Sequence, residues 1–65
     1  MCASSAYFRK GEQEEHLLDD VALLQPQGNG YRLVGLLGDE RLIEDAQVVE
    51  VNFESHRIVL GPRST

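Results

Sequence analysis

The sequence predicts a small all-β domain, a curled sheet or half-barrel of SH3- or Sm-like type with about five to seven short antiparallel strands. Short apolar runs are separated by turn signals, and residues 47–53 alternate apolar and polar side chains with the period of a strand. A helix fits poorly, because the apolar positions of residues 12–24 do not share one face and Asp19-Asp20 interrupts them. The pattern therefore favours a sheet.

The first half of the chain contains three predicted extended segments. Residues 6–9 form a strand that ends at a turn around Gly11, and residues 15–18 are the return arm of a hairpin despite a composition poor for strands. Asp19-Asp20 is expected to interrupt the chain, and residues 21–25 form a short buried strand. The strongest turn signal follows, since Asn29-Gly30 lies between two apolar runs and tolerates positive φ at both positions.

The second half of the chain also alternates predicted strands with turns. Residues 31–37 form a strand in which Gly35 marks a bulge or a close backbone approach, and a turn at 38–40 leads into residues 41–44. Residues 47–53 place Val49, Val51 and Phe53 on one face, and residues 57–60 form the last strand. We expect one domain over residues 1–60 and a flexible tail over residues 61–65.

The chain is too short to stabilise itself comfortably. It has 65 residues and one cysteine, and a domain of this size buries only about 60% of the surface that its unfolded chain exposes. Small domains are usually completed by disulfides, a metal or a partner subunit. Since one cysteine cannot form a disulfide within the chain, a metal, a partner or both remain.

Charge and hydropathy narrow the function classes. The net charge is -5, which opposes binding to a nucleic acid because that affinity comes largely from cationic contacts. No apolar run approaches the ~20 residues that span a bilayer, and the first residues lack the features of a secretory signal. A single cysteine without an export signal is typical of a reducing compartment, so we expect a cytoplasmic protein that does not bind membranes.

Enzymatic constellations are missing from the sequence, so we expect no catalytic activity. No Gly-rich phosphate loop, nucleophile elbow or paired-histidine motif is present. His16 and His56 each lie alone in or beside a polar turn, where a surface role is the simpler interpretation. A carboxylate cluster lacks the residue order of a calcium loop and fits a solvated, charged hairpin better; it comprises Glu12, Glu14, Glu15, Asp19 and Asp20.

Cys2 stands out by its position. A thiolate at the second residue lies beside the α-amine and the first backbone amides, and these donors can together form chelate rings around one metal ion. Ni(II) and Cu(II) favour such nitrogen-rich, square-planar sites. The alternative is a small residue that fills the first turn of a strand or is simply exposed, and residue chemistry alone leaves both open.

A two-fold dimer would answer two shortages together. One cysteine per chain offers one thiolate, whereas sites for soft metals commonly use more than one. If the N-termini lay near a two-fold axis, both Cys2 sulfur atoms would surround one ion, because an isologous contact repeats every ligand. The same dimer would add apolar burial to a marginal core.

Taken in order, several motifs resemble the CooT-type proteins, small nickel-binding accessory proteins associated with carbon monoxide dehydrogenase maturation. The likeness covers about residues 1–60, and its specificity comes from the order and spacing of weak motifs in a chain this short. The motifs are Met1-Cys2, Leu17-Leu18-x-Asp20-Val21-x-x-Leu24, Pro26-x-Gly28-x-Gly30-x-x-Leu33, Gly38-Asp39-Glu40, and Val51-Asn52-Phe53 leading to His56-Arg57-Ile58-Val59-Leu60.

The resemblance implies a homodimeric metallochaperone with one Ni(II) per dimer, held by the Cys2 thiolates of both subunits. Backbone nitrogens of Met1, Cys2 or Ala3 are the implied co-ligands, and carbon monoxide dehydrogenase is the implied client. Ser4 and Ser5 depart from the more apolar or basic residues expected there, which would alter hydration around the metal.

A second hypothesis is a small SH3- or Sm-like module that binds protein or RNA without a physiological metal. Its candidate surface residues are the aromatic side chains Tyr7, Phe8, Tyr31 and Phe53. We expect at least two of these four in the core, because a domain this small needs large side chains inside.

Overall fold

Six strands make up the regular structure of the computed structural model, which describes residues 3–63. They confirm the all-β class, and the described part of the chain contains no helix. Most strands match a predicted extended segment, with boundaries shifted by a few residues. The strands are β1 Ser4–Lys10, β2 Gln13–Gln27, β3 Gly30–Gly35, β4 Glu40–Ile43, β5 Ala46–Asn52 and β6 Arg57–Pro62.

The strands form one sheet in the order β4-β3-β2-β1-β6-β5. Four neighbouring pairs are antiparallel, but β1 and β6 run parallel, from Ser5 opposite Arg57 to Phe8 opposite Leu60. The expectation of antiparallel pairing throughout was therefore wrong at this one junction. The reason lies in the connectivity: β5 and β6 form an antiparallel hairpin of their own, and its second strand, β6, lies beside β1 in the same direction.

Strand β2 is continuous over 15 residues, although we predicted two segments separated by Asp19-Asp20. Asp20 has a φ of 52° and lies at a register shift in the β1–β2 pairing. Aspartate tolerates the left-handed region better than most residues, so the pair forms a bulge instead of ending the strand. The first part of β2 pairs with β1 and the second with β3, and the bulge between them lets the sheet bend.

The core lies on the concave face of this bent sheet. Ala6, Leu33 and Leu60 are fully buried, and six partly buried side chains pack against the central cluster. Burying a leucine side chain contributes about 1.5–3 kcal/mol, so a cluster this small gives modest stability. The cluster consists of Ala6, Leu17, Leu18, Leu33, Ile58 and Leu60, with Phe8, Val21, Leu24, Tyr31, Ile43 and Val48 around it.

The predicted buried strand at residues 21–25 is more exposed than expected. Val21 and Leu24 are half-buried against the core, but Leu23 remains 43% exposed. Only one face of β2 is covered, because the sheet closes on itself as a half-barrel and nothing in the described chain packs on its outside.

The β2–β3 hairpin turns at Gly28 and Asn29, one residue earlier than the Asn29-Gly30 turn we predicted. Gln27 pairs with Gly30, and the positive φ of 60° belongs to Gly28. Gly30 instead opens β3 beside the end of β4, where an added Cβ would overlap the Ile43 carbonyl oxygen and lie 2.9 Å from Glu44 Cα. Both glycines are therefore required, for different reasons.

Arg63 closes the half-barrel at its open side. Its Nε donates to the Asn29 carbonyl at 2.8 Å and its guanidinium to the Ala46 carbonyl at 3.0 Å, while its backbone N–H donates to Asp45. The Ala46 N–H also donates to the Asn29 carbonyl. Gly61 and Pro62 belong to β6, so the ordered domain extends beyond the boundary that we predicted at residue 60.

Candidate functional site

The start of β1 is the part of the described chain nearest in sequence to the predicted metal ligands. Met1 and Cys2 lie outside the described residues, and Ala3, the first of them, is half-buried. The predicted binding of nickel by Cys2 therefore stays a prediction. The surroundings of Ser4 and Ser5 define where the terminus enters the fold.

Three elements converge on Ser4 and Ser5. Ser4 pairs with Val21 beyond the bulge of β2, and the Ser5 N–H donates to the His56 carbonyl in the β5–β6 turn at 2.9 Å. The Ser5 hydroxyl donates to Asp19 Oδ1 at 2.8 Å. The chain terminus therefore enters between a β-bulge and a hairpin turn, and both supply polar groups.

Asp19 links this position to His16. The His16 Nε2 lies 2.9 Å from Asp19 Oδ1, and since the carboxylate can only accept, the ring nitrogen donates. The hydrogen bonds from His16, and then from Ser5, lower the pKa of the Asp19 carboxyl below its usual value. The His16 ring packs edge-on against Tyr7, with ring centroids 5.6 Å apart. A charged Asp19 therefore anchors the start of β1.

His56 contributes through its backbone. Its φ of 58° helps to close the β5–β6 turn, where the Asn52 side chain accepts hydrogen bonds from the backbone N–H groups of Glu54 and Ser55. Among residues 3–63, no three His, Cys, Asp or Glu side chains are grouped so that they could hold a metal ion. The described side chains thus supply no complete metal site of their own.

The predicted acidic cluster is dispersed over the surface. Glu14 contacts Arg9 at 2.9 Å and also pairs with Arg57, and these contacts, the hydrogen bond from Arg9 first, lower the pKa of Glu14. Arg57 also lies over the Tyr7 ring, 4.7 Å from its centroid. A solvated, charged hairpin, as we interpreted it, describes this face of the β1–β2 pair.

The aromatic residues divide between core and surface. Phe8 and Tyr31 pack partly buried against the core cluster, and Tyr7 is half-buried beneath Arg57. Phe53 is 82% exposed at the end of β5. Val49 and Val51, which we predicted on the same face as Phe53, are also exposed. The predicted single face was wrong, because a β-bulge between Val48 and Glu50 interrupts the alternation and Val51 pairs with the core residue Ile58.

Sequence reasoning missed a groove between the bulge of β2 and the β3–β4 turn. It has a volume of about 330 Å³, and its lining consists of His16, Leu17, Leu18, Asp19, Asp20, Leu36, Leu37 and Asp39. Leu37 is 96% exposed at its edge. Leu36 and Leu37 lie in the β3–β4 turn and not in the strand predicted over residues 31–37. Their position directly before Gly38-Asp39, a turn signal, could have indicated this.

Fold and site together define a small half-barrel that presents surfaces for binding, with Ser5 held between the bulge of β2 and the β5–β6 turn. The model of the family described as CO dehydrogenase accessory protein CooT matches residues 1–61. The chain belongs to the CooT family, whose members are accessory proteins rather than enzymes.

A solved structure supports both the fold and the family. A crystal structure of a provisionally assigned CooT protein from Carboxydothermus hydrogenoformans aligns with a TM-score of 0.86 and 30% sequence identity. The alignment covers 97% of this chain and 100% of that one, so the two share the complete half-barrel. No curated protein matches the chain.

The family also gives the general role of the protein. The CooT description connects the chain with CO dehydrogenase as an accessory protein.

In residues 3–63, no helix has the length and apolarity needed to cross a membrane.

Proposed function

We propose that this protein is a cytoplasmic nickel-binding accessory protein, which binds one Ni(II) per homodimer through Cys2 and delivers it towards a nickel enzyme such as CO dehydrogenase. The observation that carries the proposal is the match to the CooT family over residues 1–61, which includes Cys2. Nickel is the cargo of the protein in this proposal.

The donor chemistry at the chain start supports nickel. The Cys2 thiolates of the two subunits would supply soft sulfur ligands, and the backbone nitrogens of Met1 or Ala3 would supply nitrogen. Ni(II) binds strongly to such mixed donor sets. Since the described side chains form no competing cluster of metal ligands within residues 3–63, the terminus is the strongest candidate for the site.

The entry of the chain start supports exchange of the ion. Ser5 is held by Asp19 and His56, and the chain from Ser5 back to Cys2 can span at most about 11 Å. The metal would therefore be bound near the bulge and the β5–β6 turn, at the surface. A site at a chain start, with few ligands from each subunit, suits transfer to another protein better than an enclosed one.

The exposed end of β5 supports homodimerisation. Val51 is 41% and Phe53 82% exposed, and both lie near the turn whose His56 carbonyl receives the Ser5 N–H. Burying a large aromatic side chain at a contact stabilises it strongly. A two-fold contact through this patch would bring the two chain starts together and would cover apolar surface that the monomer exposes.

The test is a nickel titration followed by native mass spectrometry, which reports metal count and oligomer together. We expect one Ni(II) per two chains for the wild type, with a thiolate-to-metal absorption band, and loss of both in Cys2→Ser. Glu12→Gln, at the turn between β1 and β2 and away from the start of β1, is the control and should bind as the wild type does. Unchanged nickel affinity in Cys2→Ser, or a stoichiometry independent of the dimer, would contradict the proposal.

An interaction module without a physiological metal is the second candidate, and the exposed Phe53 and Leu37 favour it. Its protein-binding version predicts that Cys2→Ser retains partner binding in full without nickel. The net charge of -5 argues against its RNA-binding version, because negative charge opposes contact with phosphates. The absence of oligonucleotide binding at low salt would remove that version.

A further inference from the structure

The groove between the bulge of β2 and the β3–β4 turn combines apolar surface with negative charge. Its floor is formed by Leu17 and Leu18, which are 6% and 8% exposed, and its wall by Leu36 and Leu37, which are 56% and 96% exposed. Ligand pockets commonly have volumes of ~300–1,000 Å³, and this groove, at about 330 Å³, lies at the lower end of that range.

Carboxylates line the rim of the groove. Asp19, Asp20 and Asp39 all contribute to its lining. Asp19 is paired with His16, whereas within residues 3–63 neither Asp20 nor Asp39 has an ion-pair partner. The rim therefore presents net negative charge beside an exposed leucine.

The backbone holds the rim in a defined shape. The Leu36 N–H donates to the Asp20 carbonyl at 2.9 Å, which ties the β3–β4 turn to the bulge across the groove. The Gly35 N–H donates to the Asp39 carbonyl at 2.8 Å, and the Asp39 carboxylate lies directly over Gly35, where a Cβ would overlap it. Leu37 and the carboxylates are thus presented together by ordered turns.

We propose that this groove docks a segment of the client enzyme that carries an apolar side chain flanked by lysine or arginine. The inference rests on the proposed accessory function and adds the surface that recognises the client. The apolar side chain would lie against Leu36 and Leu37, and the cations would face Asp20 and Asp39. Complementary charge selects the partner and speeds encounter, while the apolar contact supplies affinity.

Charge also argues against a second copy of the chain as the occupant. An isologous contact through the groove would bring identical carboxylate rims together, and like charges in juxtaposition are costly. The patch of Val51 and Phe53 is the other exposed apolar surface, and the proposed dimer contact lies there. The two exposed apolar surfaces are therefore assigned to different partners.

The position of the groove fits delivery. Asp19 lines it and also holds the Ser5 hydroxyl at 2.8 Å. A client docked there would lie beside the start of β1 and close to Cys2. The metal would have a short path to the client, since the chain between Ser5 and Cys2 spans at most about 11 Å.

The experiment measures binding of the full-length chain to immobilised, nickel-free CO dehydrogenase by biolayer interferometry. We expect Leu37→Ser and Asp20→Asn each to weaken binding at least about five-fold, because each removes one half of the recognition. Asparagine tolerates the positive φ of Asp20, so that variant changes charge and leaves the bulge intact. The wild-type affinity should fall as salt is raised, and Asp20→Asn should show a shallower dependence.

Two controls match these variants. Leu42→Ser removes a leucine that is 55% exposed on β4, outside the groove, and Glu12→Gln removes a carboxylate at the far end of the β1–β2 hairpin. Both should bind the enzyme as the wild type does. All four variants should retain the nickel stoichiometry and affinity of the wild type.

The possible failures are separable. Wild-type affinity in both groove variants, or no measurable binding of the wild type, overturns the docking inference while leaving the nickel result of Cys2→Ser untouched. Dissociation of the homodimer by Leu37→Ser in size-exclusion chromatography would identify the groove as the self-interface and would also overturn it. If Cys2→Ser keeps full nickel affinity but the groove variants lose enzyme binding, the docking surface stands and the metal assignment fails.

Discussion

The Ser5 hydroxyl donates a hydrogen bond of 2.8 Å to Asp19, and this contact fixes the start of β1 to the bulge of β2. The same carboxylate oxygen accepts from His16. Asp19 therefore links the start of β1 to the rim of the groove. Its charge state is expected to matter for both features.

Removing the Asp19 charge should make the free energy of unfolding less dependent on pH in the acidic range. The folded state lowers the pKa of Asp19 below its ordinary value of 3.8 through the His16 and Ser5 hydrogen bonds. A lowered carboxyl pKa contributes stability above the unfolded value and loses it as the pH falls through the folded value. We expect Asp19→Asn to have a lower urea midpoint than the wild type at pH 7, and the difference to shrink below pH 3.8.

Glu15→Gln provides the comparison, because it removes a carboxylate from the same strand without these two partners. Its urea midpoint should follow that of the wild type across the titration. A difference between Asp19→Asn and the wild type that stays constant from pH 7 to pH 3 would show that the loss is not electrostatic.

Replacing Arg63 should loosen the closure of the half-barrel. Its guanidinium donates to the carbonyls of Asn29 and Ala46, which belong to segments far apart in sequence. Because both groups are near the surface, we expect Arg63→Ala to lower the free energy of unfolding by about 1 kcal/mol. Faster amide hydrogen exchange at Ala46 would locate the effect.

Arg63→Lys tests the geometry of this contact. Lysine keeps the charge but lacks the planar fork that reaches two carbonyls at once. We expect it to recover less than half of the lost stability. Full recovery by lysine would show that charge alone matters, and no loss in either variant would show that the backbone bond from Arg63 to Asp45 is sufficient.

The local pattern of the sequence was enough to predict the strands, but not how they assemble. Turn residues such as Gly11 and the short apolar runs between turns correctly indicated a small β domain of about five to seven strands, of which the structure has six in residues 3–63. The parallel β1–β6 pair depends on a contact between residues such as Ser5 and Arg57, which are far apart in sequence. Periodicity carries no information about such a pair.

The same limit explains the misjudged surfaces. The alternating pattern predicted that Val49, Val51 and Phe53 share a face, but it could not reveal the bulge between Val48 and Glu50 that separates Val49 from the other two. Asp19-Asp20 resembles a chain break locally, whereas the long pairing of β2 on both sides makes it a bulge. The leucines of the groove lie together because the β3–β4 turn is hydrogen-bonded to that bulge, a contact between residues distant in sequence.

Truncating the core should unfold much of the protein. Leu33 is fully buried at the centre of the cluster, and a Leu→Ala change in a core costs about 2–5 kcal/mol. A domain of this length has a total stability of about 3–10 kcal/mol. We expect Leu33→Ala to lose most of its native circular dichroism at 37 °C, whereas Leu37→Ala, at a position 96% exposed, should melt as the wild type does.

Equal effects of the two leucine substitutions would contradict this account of the core. Protein concentration must be held constant in the comparison, because a homodimer gains stability by mass action. A melting temperature that rises with concentration in the wild type but not in Phe53→Ser would locate the dimer contact at the end of β5.

Nickel affinity should rise with pH. The proposed ligands must lose protons before they bind, since the Cys2 thiol and any coordinating backbone amide are protonated in the free chain. Each proton released steepens the dependence, so the apparent affinity should rise about ten-fold per pH unit for every proton displaced.

Calorimetry at one pH in two buffers of different ionisation enthalpy counts these protons directly. Cys2→Ser should lose the steep dependence, whereas Glu12→Gln should keep it. A pH-independent affinity in the wild type would contradict coordination by the thiolate and the backbone amide, because neither ligand can bind nickel without releasing its proton.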